Sequence, residues 1–465
     1  MSTRGERPIE RPIPLIQRPG PGTPVTVVGL ARSGLAAARW LLQLGCIVRV
    51  TEQAASPEHR IFADELTRAG ALVELGGHTR RFIVGSRLVA VSPGVHPSSA
   101  PVRWAREAAI PVVSELELGS WYCSGATVAV TGSNGKSTVV TLLGEILRAA
   151  GRDAVVCGNI GTPLCSVLDR IRPSTTVVLE VSSFQLESTV SFHSDIACLL
   201  NVTENHLDRH GSFSRYRAVK ARLFAQQGPS SWAVLNADDP GSAGMRKRIR
   251  SRLAFFSRKQ KVPGAYAQDG ELRLNLPGLE GRICGTGELP AQGSHHEENG
   301  LTAACIAGLL GIPGEFAGPV LRTFIGLPHR QQRVGQIRGV TFINDSKSTT
   351  VESGIRAIEA APGQVILIAG GRDKGSDFKR LRRWTAKLKA AVLIGEDGGK
   401  IASSLNGSVP LRRATDLPEA VRMAFGLARE GECVLLSPMC TSFDMFRDFE
   451  ERGERFTLAV EALAK

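Results

Sequence analysis

Three stretches of the chain share one pattern: a short apolar run, a glycine-containing turn, then apolar residues spaced three and four apart. In the first, Val25 to Gly29 reads as a strand, Gly34 closes the turn, and Leu35–Leu44 has helical spacing. A second strand, Ile47 to Val50, ends at Glu52 and completes a βαβ unit; Leu88–Val91 and Pro111–Val113 are further strands. The second stretch begins at Thr127–Val130, passes through Thr131–Thr138 and continues as a helix to Ala150. Its later strands, Thr176–Leu179, Ile196–Leu200 and Trp232–Leu235, are apolar enough to be buried on both faces. The third runs through Val340–Ile343, Val365–Ala369, Ala391–Ile394 and Cys433–Leu436. The pattern predicts an α/β protein of three domains, 25–120, 121–326 and 327–465, behind a disordered Arg- and Pro-rich tail, 1–24. Gly-rich Pro277–Gly293 is expected to be loop.

Composition narrows the class. At 42% hydrophobic and 22% charged the chain resembles an ordinary soluble protein, and no apolar run approaches the ~20 residues of a spanning helix. The nine cysteines are scattered with no CxxC pair, which argues against a disulfide framework or a zinc site and fits reduced, mostly buried thiols in a cytoplasm. The net charge of +13 suits nucleic acid or small anionic substrates equally. The densest basic run, Arg246, Lys247, Arg248, Arg250 and Arg252, has few aromatics for base stacking and reads as solvated surface.

Candidate chemistry concentrates at strand ends. In Thr131-Gly132-Ser133-Asn134-Gly135-Lys136-Ser137-Thr138 the glycines allow backbone N–H groups to face phosphate oxygens. Lys136 adds a mobile charge and Ser137 a hydroxyl suited to Mg²⁺, although Val130 stands in place of the usual first glycine. Gly29–Gly34 with Glu52 downstream resembles a dinucleotide fingerprint, but Ala31 replaces its middle glycine; a looser diphosphate site and a purely structural turn both remain open. Glu180 ends one buried strand, and His206 follows the next one, so both are delivered towards the phosphate loop. Strand ends of the third domain supply Asn344–Thr349, Gly370–Gly375 with Lys374, and Ser437–Phe446. Lys347 and Lys374 there are either phosphate and carboxylate readers or solvated turn lysines.

Taken with Gly158–Gly161, Leu179–Glu187, Asn201–Arg209, Pro328-His329-Arg330 and Ser437–Gly453, these motifs resemble the Mur ligases from about Val25 to the C-terminus. Ser182–Glu187 and Asn344–Lys347 look like the D-glutamate-adding branch. The resemblance implies a Rossmann-like N-terminal domain for a UDP-substrate, a P-loop-type central ATPase domain and a Rossmann-like C-terminal domain for the amino acid. Carried over, Gly132–Thr138, Asn299, Arg330 and Asp345 would bind ATP, and Lys136, Glu180, His206 and Lys220 would be catalytic. Ser137 and Glu180 would hold one Mg²⁺, and His206 with a carbamylated Lys220 a second. Read from its helix alone, Lys220 is a surface charge. Arg32, Ser33, Glu52, Gly94 and Asn159 would meet the UDP-substrate, and Lys374, Thr349, Ser442 and Phe449 would read D-glutamate. Ser133 stands for the usual Thr, His296 and Thr350 for Asn, and Glu52 for Asp.

The implied reaction is phosphorylation of the carboxylate of UDP-N-acetylmuramoyl-L-alanine by ATP, then attack by the amine of D-glutamate. It would be carried out by a cytoplasmic monomer without nucleic-acid or membrane partners. Gathering several anions in one site explains the lysines and metals. The rivals are another amino-acid ligase of the superfamily, against which Phe184-Gln185 argues, and a nucleotide- or nucleic-acid-binding protein that performs no chemistry.

Overall fold

The computed structural model describes residues 16–290, 294–373, 376–405 and 407–463. The chain divides into two compact units, with the boundary in sequence between Phe324 and Ile325. The first unit holds two sheets. One contains β1 (Pro24–Val28), β2 (Ile47–Glu52), β3 (Leu72–Leu75), β4 (Leu88–Val91) and β5 (Val112–Ser114), all parallel, in the order β3-β2-β1-β4-β5. The order reverses at β1, which puts the crevice for a ligand beyond the C-terminal ends of β1 and β4.

The second sheet contains β6 (Ala126–Thr131), β7 (Ala154–Gly158), β8 (Thr176–Glu180), β9 (Ile196–Leu199), β10 (Trp232–Asn236), β11 (Arg252–Ser257), β12 (Gly264–Gln268), β13 (Glu271–Leu276) and β14 (Leu279–Gly285). Its order is β14-β13-β12-β11-β10-β9-β6-β8-β7, so β6 lies between β9 and β8. Val128 and Val130 of β6 pack with Val178, Cys198 and the helix Lys136–Ala149 in one apolar core, which fixes the strand beneath the phosphate loop. The expectation of loop over Pro277–Gly293 is corrected here. Leu276 pairs with Leu279 across a two-residue turn in which Gly278 takes φ +75°, and β13 and β14 form an antiparallel hairpin. Its buried Leu272, Leu274, Ile283 and Cys284 join the apolar core that also holds the helix Ser294–Leu309. Residues 291–293 lie outside the described residues.

The second unit holds β15 (Gln332–Ile337), β16 (Val340–Asn344), β17 (Val365–Gly370), β18 (Leu388–Ile394), β19 (Leu411–Arg413) and β20 (Cys433–Leu436), in the order β15-β16-β20-β17-β18-β19. All are parallel except β15, which turns back through Arg338 and Gly339, both at positive φ, a turn that matches the strand twist. The three sheets with their covering helices are the α/β architecture expected from the pattern. All nine cysteines are free, eight of them buried.

Two neighbouring carboxylates in the helix Glu115–Ser120 meet opposite fates. Glu117, fully buried, accepts backbone N–H bonds from Val190 (2.8 Å), Ser191 (2.8 Å) and Phe192 (2.9 Å), the Trp121 indole at 3.0 Å and the Ser191 hydroxyl. It staples the end of the first sheet to the segment before β9. Glu115 accepts a backbone N–H from Cys165 through Oε1 at 2.7 Å, while its Oε2 has no hydrogen-bond partner. Burial therefore pushes its carboxyl from 4.5 up to about 7. In that window the native state binds a proton that the unfolded chain releases, so stability falls as pH rises from about 4.5 to about 7. Glu115→Gln removes this titration. Relative to the parent it should gain about 3 kcal/mol between pH 5 and pH 8 in urea unfolding. A difference independent of pH would show that Glu115 is ionised at no cost.

Candidate active site

The loop after β6 is braced by β9. Ser133 N donates to the carbonyl of Asn201 at 3.0 Å, and Asn134 N to the Asn201 side-chain oxygen at 2.9 Å. The Ser133 hydroxyl bonds the Thr203 carbonyl at 3.0 Å and lies 3.1 Å from the Tyr216 hydroxyl, so serine supplies the hydroxyl of the usual threonine. Gly135 caps the following helix at φ +83°; a Cβ there would lie 2.7 Å from Asn299 Oδ1. Asn299, on the helix Ser294–Leu309, is thus packed against this loop. Lys136 folds back over the loop, its Nζ 2.9 Å from the Gly132 carbonyl and 3.2 Å from that of Ser133. Ser137 and Thr138 lie in the buried first turn.

On the other flank, Glu180 ends β8, level with Val130 of β6. It is 3% exposed, and its Oε1 accepts from Asn159 Nδ2 at 2.6 Å, while the buried Oε2 has no partner. Asn159 follows β7 and is brought to this carboxylate because Gly158, at φ +104°, lets the backbone pass close to the Glu180 carbonyl, from which a Cβ would lie only 2.5 Å.

Lys220 is the largest departure from reading its helix in isolation. It lies on the helix Phe213–Ala221, 1% exposed, with Nζ 3.0 Å from the Gly132 carbonyl, 3.4 Å from Thr131 Oγ1 and 4.7 Å from the centre of the Tyr216 ring. A surface charge it is not. Burial, and then the charge of Lys136, hold its amine well below the ordinary lysine range. His206 sits at φ +52°, its ring edge-on to Phe184 at 4.8 Å between centroids.

At the C-terminal edge of the first sheet, Gly29 is at φ +94°, and a Cβ on Gly34 would lie 1.8 Å from the Gly29 carbonyl. Arg32 and Ser33 open the next helix. Glu52 spends both oxygens on backbone: Leu30 N at 2.6 Å and Ala54 N at 2.8 Å. Gly94 is exposed in the loop after β4, where the Ser92 hydroxyl bonds the Gly29 carbonyl at 3.0 Å.

In the second unit Asp345 is 3% exposed, bonded to Gln331 N at 3.1 Å, Ser437 Oγ at 3.1 Å and the Ser348 hydroxyl; burial raises its carboxyl to about 6. Arg330 lies in the turn before β15. Lys347 lies 5.2 Å over the Phe449 ring, Ser442 is buried after β20, and Thr349 is half-buried after β16. Thr350 caps the helix Val351–Ala360 through its hydroxyl. Lys374 lies outside the described residues. Arg452 was not singled out from sequence, hidden within a charged helix. It is 1% exposed and donates to Ser346 Oγ (3.0 Å), Ser346 O (2.8 Å) and Cys440 O (3.2 Å), tying the loops after β16 and β20 together.

Three family models match the chain: the MurD-like N-terminal domain of Mur ligases at 23–114, the Mur ligase middle domain at 130–307 and the Mur ligase glutamate ligase domain at 329–440. The chain is 42% identical over 446 residues to a UDP-N-acetylmuramoylalanine–D-glutamate ligase of Pelotomaculum thermopropionicum, covering 95% of this chain and 98% of that one. It is 41% identical over 439 residues to one of Acidobacterium capsulatum, covering 94% and 95%. Among solved structures, the fold is similar to that of UDP-N-acetylmuramate-alanine ligase from Thermotoga maritima (TM-score 0.57, 17% identity, 95% and 99% covered). It is also similar to a pseudomurein peptide ligase from Methanothermus fervidus (TM-score 0.56, 16% identity, 95% and 100% covered). With three successive domain matches and relatives this similar over nearly its full length, the chain belongs to the Mur ligase family, among the UDP-N-acetylmuramoylalanine–D-glutamate ligases.

Proposed function

We propose that the protein joins D-glutamate to UDP-N-acetylmuramoyl-L-alanine at the expense of ATP, as a step of cytoplasmic peptidoglycan synthesis. Residues 25–120 take the UDP-substrate through Arg32, Ser33, Glu52, Gly94 and Asn159. Residues 121–326 take ATP, and 327–465 the amino acid through Lys374, Thr349, Ser442 and Phe449. Among the described residues, no helix is long and apolar enough to cross a membrane. The observation that carries the reading is a phosphate loop flanked by a buried carboxylate oxygen without a partner, on Glu180, and a buried amine, on Lys220.

An unpartnered carboxylate oxygen beside phosphates suits a hard cation, so Glu180 and the Ser137 hydroxyl fit Mg²⁺. Among the described residues, no three His, Cys, Asp or Glu side chains gather as a ready-made site; phosphate and water would supply the remaining ligands. Bound there, Mg²⁺ would neutralise charge on the transferring phosphoryl group. Lys136 holds the β- and γ-phosphates, and Asn299, Arg330 and Asp345 hold the rest of the nucleotide. The amine of Lys220, whose charged form burial and then Lys136 disfavour, loses a proton and adds to CO₂, and the carbamate with His206 offers oxygen and nitrogen donors for a second cation. The substrate carboxylate takes the γ-phosphoryl group, the D-glutamate amine attacks the acyl carbon, and phosphate leaves.

Phosphate release from ATP and UDP-N-acetylmuramoyl-L-alanine, with D-glutamate, L-glutamate, lysine or diaminopimelate added singly, tests the assignment. D-Glutamate alone should drive turnover. Stimulation by lysine or diaminopimelate instead would reassign the amino-acid site.

A further inference from the structure

Arg209 has no place in the chemistry above, yet its side chain is only 9% exposed, and its Nε, its Nη2 and one stacking face are engaged. Its Nε and Nη2 donate to Glu187 Oε2 at 2.9 and 2.7 Å, and Nη2 also donates to the Val95 carbonyl at 3.0 Å. The guanidinium carbon lies 4.1 Å over the centre of the Phe184 ring. Phe184 in turn packs against His206 at 4.8 Å and His210 at 5.8 Å. The other Glu187 oxygen lies 3.2 Å from Nδ1 of His210, whose protonation is disfavoured first by burial; Arg209 is thus the cation that answers the Glu187 charge.

These contacts join three elements. Val95 follows Gly94 in the loop after β4, which Ser92 bonds to the Gly29 turn. Phe184 and Glu187 belong to the segment after β8, and Arg209 sits three residues beyond His206. An exposed ion pair contributes ~0–1 kcal/mol, and a buried one often no more than an apolar substitute, so stability alone is a weak reason for a nearly buried guanidinium here. Its in-plane donors and its stacking face serve geometry, and lysine has neither.

We infer that Arg209 is a positioning residue, holding the Gly94–Val95 loop of the first sheet against the Phe184–His206 pair so that a nucleotide-sugar substrate bound at that loop presents its carboxylate to the phosphate loop. The inference rests on the proposed reading of the first sheet as the UDP-substrate domain. Calorimetric binding of UDP-N-acetylmuramoyl-L-alanine and, separately, of ATP to the full chain tests it, with Arg209→Lys and Glu187→Gln beside the parent. Both variants should bind the UDP-substrate about tenfold more weakly while ATP binding stays within about twofold. Should Arg209→Lys not fold, Glu187→Gln carries the comparison, since it keeps every heavy-atom position. Equal weakening for both ligands would mean a general structural role and overturn the inference, as would unchanged binding of the UDP-substrate. A parent that fails to bind the UDP-substrate at all would overturn the proposed function, and this inference with it.

Discussion

Lys220→Arg is expected to bind ATP but turn over on the order of 10²–10³-fold more slowly than the parent, or worse. The Lys220 amine sits 3.0 Å from the Gly132 carbonyl, the same oxygen that receives Lys136 at 2.9 Å. Two full positive charges sharing one carbonyl would repel, and burial adds to the cost of the second. A neutral amine is what carbamylation needs, and the resulting anion would turn repulsion from Lys136 into attraction. Arginine keeps a permanent charge and forms no carbamate. Lys220→Ala should be comparably slow, and added acetate or formate should restore part of its rate by supplying a carboxylate to the space left behind. Phosphate release measured with and without the added carboxylate checks both. A fully active Lys220→Arg enzyme, or no rescue of a folded Lys220→Ala protein, would sink the carbamate.

The second large effect is expected at Lys136→Ala, whose rate should fall on the order of 10²–10³-fold with the fold intact. The lysine rests on the carbonyls of its own loop and contributes little packing, so thermal unfolding should change little. Its charge would matter once phosphate oxygens replaced those carbonyls. Gly135→Ala is the geometric companion: the added Cβ meets Asn299 Oδ1 at 2.7 Å and Leu200 Cδ1 at 3.2 Å in a left-handed backbone. It should raise the KM for ATP while leaving that for D-glutamate near the parental value. Near-parental turnover by folded Lys136→Ala would remove the loop as the ATP site.

Legibility in the sequence followed the range of the interactions. The strand, glycine turn and helix around Thr131–Thr138 are local, and each residue states its own conformational need, so the loop and its helix could be read directly. Buried parallel strands such as Val365–Gly370 were equally plain, because both faces are apolar. The hairpin over Leu279–Gly285 was lost among glycines; one of them, Gly278, makes the turn. What could not be read was pairing across distance. Nothing local in Asn201 tells that it braces Ser133 and Asn134, or in Asn159 that it bonds Glu180. Lys220 is the sharpest case, since its helix has no clear apolar face and its burial comes from the loop 88 residues away. Glu117 and Arg452 were hidden for the same reason, as charged residues whose partners lie elsewhere in the chain.

Phosphorylation of the substrate carboxylate before D-glutamate attacks can be followed with an oxygen label. UDP-N-acetylmuramoyl-L-alanine carrying ¹⁸O in its terminal carboxylate is incubated with ATP and D-glutamate, and the phosphate and nucleotide product are weighed by mass spectrometry. If the acyl phosphate forms, the oxygen that bridged carbon and phosphorus leaves with phosphate. One labelled oxygen should therefore appear in phosphate for each D-glutamate joined. Amide product accompanied by unlabelled phosphate, or ATP cleavage that does not depend on D-glutamate and yields no amide, would contradict the account.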